Sequence, residues 1–111
     1  MKRLVSWTLA ALMCSLLAFA SPVIAEEEGF EPLFDGKTLE NWDGNPEFWS
    51  VVDGAIVGQT TPEKPTKGNT FLIYRGGDVS DFELRLEFQI VGGNSGIQYR
   101  SEEVSKWVIK G

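Results

Sequence analysis

The chain has 111 residues, 42% of them hydrophobic, with a formal net charge of −6, one cysteine and no histidine. Its acidity argues against nucleic acid and anionic membrane surfaces as partners. Without histidine, and with a single cysteine in its first fourteen residues, the chain lacks the usual zinc and copper ligand sets.

Lys2 and Arg3 open the chain, residues 4–19 are almost unbroken apolar, and residues 20–25 are mostly small, with Val23 and Ala25 at the −3 and −1 positions of a cleavage site. This predicts a signal peptide over residues 1–25, an acidic leader over 26–30, and export to the periplasm or beyond, with no stable membrane insertion after cleavage. A retained N-terminal anchor is the competing reading. Cys14 follows Met13, where bacterial lipidation requires a small residue, so it belongs to the apolar segment. Cleavage after Ala25 removes that cysteine, and the exported chain then has no disulfide.

Residues 31–34 are a short extended opening, followed by a turn at Asp35-Gly36-Lys37, where Asp bonds the local backbone and Gly accepts positive φ. A second polar turn is predicted at residues 43–46. Residues 48–52 and 55–58 flank Asp53-Gly54, the pair suited to a type I′ hairpin. Residues 59–69, with Pro62, Pro65 and Gly68, form a long polar loop of the kind that often rims a site. Residues 71–75 are the next strand. In residues 81–90, Phe82, Leu84, Leu86, Phe88 and Ile90 fall on one face and Glu83, Arg85, Glu87 and Gln89 on the other, because strand side chains alternate. A turn at residues 92–96 leads to a strand at 97–100, and residues 106–109 are strand-like.

Short strands separated by Asp-Gly, Gly-Gly and Pro turns predict an all-β sandwich or jelly roll with antiparallel pairing. Trp42, Trp49, Phe34, Phe48, Phe71 and Phe82 are mostly core rings, since so short a chain has few other groups to seal one. What remains after cleavage is short for a two-sheet sandwich, which runs to about 100 residues. The chain also stops at Gly111, directly after a strand-like run, so the domain is expected to be incomplete.

Two constellations could carry chemistry. Asn94 and Ser95 present short polar groups from a glycine turn, which serves equally as an ordinary hairpin turn. Arg85 and Glu87 share the polar face, and Gln98 or Arg100 would lie across from them in simple register. A carboxylate beside guanidinium groups can bind sugar hydroxyls or act as a base, whereas the plainer alternative is a row of solvated cross-strand ion pairs. Asp35, Asp43, Asp53 and Asp78 lack calcium-loop spacing, and each sits in or near a glycine turn with a backbone role of its own.

The run Glu31-Pro32-Leu33-Phe34-Asp35-Gly36-Lys37-Thr38-Leu39-Glu40-Asn41-Trp42 resembles the opening motif of the secreted 3-keto-disaccharide hydrolase domain family. Residues 49–56, 81–88 and 93–97 resemble the family's first hairpin, signature strand and following turn, in the same order. The resemblance implies a concanavalin-A-like jelly roll, present here as its N-terminal part, and a small saccharide or glycoside substrate. It also implies 3-keto-glycoside cleavage through C2 deprotonation, elimination at C1 and hydration. On that basis Glu87 is the groove carboxylate, Arg100 or Arg85 the charge stabiliser, and Asn94 with Gln98 the sugar hydrogen-bonders. No cofactor is implied, and a divalent ion stays open. A non-catalytic, lectin-like module on the same scaffold is the alternative.

Overall fold

The computed structural model describes residues 29–111; the expected signal peptide, Cys14 and residues 26–28 of the expected acidic leader lie outside them. Among the described residues the structure is all β, with antiparallel pairing and no helix. Hence no helix there is long and apolar enough to cross a membrane.

Among the described residues six strands form three antiparallel ladders. β1 (Trp42–Gly44) pairs with β4 (Leu72–Tyr74), β2 (Trp49–Val52) with β3 (Ala55–Gly58), and β5 (Glu102–Ser105) with β6 (Val108–Lys110). The β2–β3 hairpin forms where Asp53-Gly54 predicts it. Asp53 has φ 50° and Gly54 φ 76°, the two left-handed residues a type I′ turn requires, and Val52 faces Ala55 across it. At its open end Trp49 opposes Gly58, and a Cβ there would lie 2.7 Å from the indole ring. Glycine at this position is therefore a packing requirement.

The opening turn also forms as expected. Asp35 Oδ1 accepts from the Lys37 and Thr38 amides (2.8 and 2.7 Å), and Oδ2 accepts from the Thr38 hydroxyl (2.6 Å). These bonds, led by that from the Thr38 hydroxyl, bring the Asp35 carboxyl down to about 2.

The second turn is displaced from its expected position. Asp43 and Gly44 are strand residues, and the reversal falls at residues 45–48, where Asn45 O accepts from the Phe48 amide (3.0 Å) and Asn45 Oδ1 from the Glu47 amide (3.0 Å). Asparagine makes this local bond as readily as aspartate, which frees Asp43 for a long-range role. Residues 106–109 also read differently. Trp107, with φ 59°, turns the chain between β5 and β6, and the register shifts between Glu103 and Ser105. A left-handed tryptophan has no sequence signature, so this hairpin is missed by pattern alone.

The best-covered region surrounds β1 and β4. Phe34, Trp42, Trp49, Phe71 and Tyr74 are half-buried, Trp42 and Tyr74 lie 5.1 Å apart as register partners, and the Trp42 indole donates to Leu33 O (2.7 Å). Half-covering such a ring contributes about 1 kcal/mol. No described residue is fully buried, and Phe82, expected in the core, is 48% exposed.

The largest departure concerns residues 82–90 and 97–100, which form no ladder among the described residues. Over residues 82–86 and 97–99 the alternation nevertheless survives: Phe82, Leu84 and Leu86 share one groove with Ile97 and Tyr99, and Arg85 reaches Glu83 outside it. Apolar alternation selects a face, whereas a ladder also needs a hydrogen-bonding neighbour, which the pattern does not identify.

Candidate functional site

The groove between the two arms, residues 80–86 and 97–100, measures about 610 Å³ and is walled by Phe82, Leu84, Leu86, Ile97 and Tyr99. Phe82 and Tyr99 meet edge to face at 6.3 Å. Arg100 lines this groove too. Strict alternation would put Arg100 opposite Tyr99, but its φ of 55° breaks the period and brings it to the apolar side.

The expected neighbours are dispersed. Glu87 is exposed and does not line this groove. Arg85 Nε donates to Glu83 Oε1 (2.8 Å) on its own segment, in place of the expected cross-strand pairing. Asn94 is exposed after Gly92 and Gly93, whose φ values are 72° and 70°. Gln98 lies against Gly111, where a Cβ would come within 2.8 Å of its Nε2. Among the described residues no ion pair occupies the Arg100 guanidinium or the Glu87 carboxylate.

A second constellation joins side chains far apart in sequence. Arg75, just after β4, donates from Nη2 and Nε to Asp43 Oδ2 (2.7 and 3.2 Å) and from Nη1 to Glu103 Oε2 (2.5 Å). Trp107 completes it, its indole donating to Asp43 Oδ1 (2.8 Å) and its backbone amide to Glu103 Oε1 (2.7 Å). The Trp107 indole, then Arg75, hold the Asp43 carboxyl below its ordinary range. Arg75, then the Trp107 amide, do the same for Glu103, while Glu103 and Asp43 in turn raise the guanidinium. Carboxylates so engaged are poor proton acceptors, so this cluster is not where a base would be sought. The bonds that join Arg75 and Asp43 to the rest of the cluster span 28 to 64 positions, with only Glu103 and Trp107 close in sequence, four apart, and no local motif announces it. Asp43, read from sequence as a turn residue, has its role here.

The loop over residues 59–69 borders a smaller cleft of about 330 Å³ with Glu47, Phe48 and Ser50 opposite Gln59, Thr61, Glu63 and Lys64. Thr61 and Lys64 exchange backbone bonds of 3.2 and 3.0 Å that brace this rim. Among the described residues no three His, Cys, Asp or Glu side chains group as a metal-ligand set.

Residues 29–111 match the model of the 3-keto-alpha-glucoside-1,2-lyase-like domain. The chain belongs to this family. It is also 32% identical over 90 residues to a 3-keto-disaccharide hydrolase of Bacteroides thetaiotaomicron, an alignment covering 72% of this chain and 30% of the relative. The 3-keto-alpha-glucoside-1,2-lyase-like domain here thus spans under a third of that curated relative's length. No solved structure matches the chain.

Proposed function

We propose that this domain takes part in hydrolysing 3-keto-glycosides, 3-keto-disaccharides among them, outside the cytoplasm. The family match across residues 29–111 carries the reading, and the name of the Bacteroides relative supports the substrate class. The proposed architecture is a concanavalin-A-like jelly roll to which these strands contribute one part. The exposed apolar side of residues 82–90 supports that, because such a face is stable only against a second layer.

A ketone at C3 acidifies the C2 hydrogen. A base removes that proton, the electrons form the C1–C2 double bond, and the C1 oxygen leaves with the second sugar, taking up the proton the base holds. Water then adds its hydroxyl to C1 and its proton to C2, for net hydrolysis. The reaction needs a base, for which this histidine-free sequence offers carboxylates, and a cation or hydrogen-bond donor at the developing enolate. We assign the cation to Arg100, which lines the groove, and the base to Glu87, which directly follows the groove residue Leu86 and has to turn toward it to act. Arg100 is preferred over Arg85, whose guanidinium is engaged with Glu83, and Asn94 and Gln98 are assigned to the sugar hydroxyls.

The test is incubation with 3-keto-trehalose and with trehalose in deuterated water. Release of 3-ketoglucose from the oxidised substrate alone, with deuterium at C2, is expected. Turnover without deuterium would refute the elimination, and binding without turnover would favour a lectin-like module.

A further inference from the structure

We infer that Arg75 is a positioning residue for Arg100, acting through Glu103 and β5; the inference rests on the role proposed for Arg100. The arm at residues 97–99 has no ladder partner among the described residues, and the bond that spans Arg100, from Ser101 Oγ to Tyr99 O (3.1 Å), joins only its immediate neighbours. The anchor lies on its C-terminal side: β5 begins two residues later, and Glu103 is three residues on, within about 11 Å of chain.

Among the described residues β5 pairs only with β6, its own hairpin partner. The hairpin is tied to the β1–β4 pair by Arg75 to Glu103 and by Trp107 to Asp43. Arg75 is the common element, one side of its fork on the β1 carboxylate and the other on the β5 carboxylate. Each of the four carboxylate oxygens already accepts a hydrogen bond from Arg75 or Trp107, so the geometry of both side chains is accounted for within the cluster. That favours a clamp over a second binding site. Only arginine spans two carboxylates this way, since lysine offers a single point charge.

The test compares wild type with Arg75→Lys, which keeps the charge and loses the fork, in the full chain. In ¹H–¹⁵N spectra the Trp107 indole signal and the amides of residues 100–103 are expected to shift, while those of the β2–β3 hairpin stay in place. On 3-keto-trehalose, kcat is expected to fall at least tenfold with KM within about twofold, since small misplacements of a reacting group act in this way. Glu103→Gln, which leaves residue 75 intact, is expected to shift the same amides and provides the reading if Arg75→Lys does not fold. Unmoved residue 100–103 amides in both variants overturn the clamp, as does an unchanged kcat with moved amides. If wild type turns over no 3-keto sugar, the proposed function fails, and the spectra alone still decide whether Arg75 holds Arg100.

Discussion

Gly58→Ala tests the packing of the first hairpin, because two effects of opposite sign compete there. The backbone at residue 58 is an ordinary strand, so adding a methyl removes unfolded-state freedom and by itself would stabilise by about 0.4–1 kcal/mol. Against this, the new Cβ would stand 2.7, 2.9 and 3.0 Å from Trp49 Cζ3, Cη2 and Cε3, where carbon atoms prefer about 3.5–4.0 Å. The ring cannot easily withdraw, since its Nε1 donates to Thr70 Oγ1 at 3.1 Å. Overpacking of this kind costs about 1–3 kcal/mol, so the net effect is a loss of about 1–2 kcal/mol. The assay is a urea titration following the resolved Trp49 indole resonance. In a Trp49→Val background, where the titration follows the backbone amides of the β2–β3 hairpin in place of the lost indole, the clash is gone, and the same substitution is expected to raise the midpoint. A Gly58→Ala chain at least as stable as wild type, with Trp49 present, would refute the reasoning.

Glu87→Gln is expected to lower turnover of a 3-keto-disaccharide by about 10²–10⁴, and a rate within threefold of wild type would remove Glu87 from the mechanism. Asp35 has a depressed carboxyl, so its contribution to the opening turn is complete above pH 3.8 and lost as the pH falls through about 2; the Thr38 amide shift should titrate there. Asp43 and Glu103 are likewise depressed, so the Trp107 indole signal should hold through the ordinary carboxylate range near about 4 and move only below it. Gly54→Ala places a side chain at φ 76° and should cost about 1–2 kcal/mol of hairpin stability by the same indole assay.

What the sequence discloses here depends on range. Asp35 and Asp53-Gly54 act on neighbours within three residues, and both turns form as their chemistry dictates. The alternation of residues 82–86 is legible as a face, because side-chain direction is a local property. The strand partner is not, because pairing is decided elsewhere in the chain. Arg100 shows the same limit at the candidate site: a parity count assumes extended backbone throughout, and one left-handed residue overturns it. The Arg75 cluster is the extreme case, its four members coming from β1, the end of β4, β5 and the β5–β6 turn.

Arginine and tryptophan are costly residues to hold at positive φ, at about 1–3 kcal/mol each, and they stand at the two ends of β5. Between these bends the strand behaves as a ruler whose length has only one workable value. One residue more or fewer between them would turn Glu103 to the other side of the ribbon, leaving the guanidinium without its second anchor. Indels should therefore be absent from residues 100–107 in functional variants, even though this surface stretch would otherwise tolerate them.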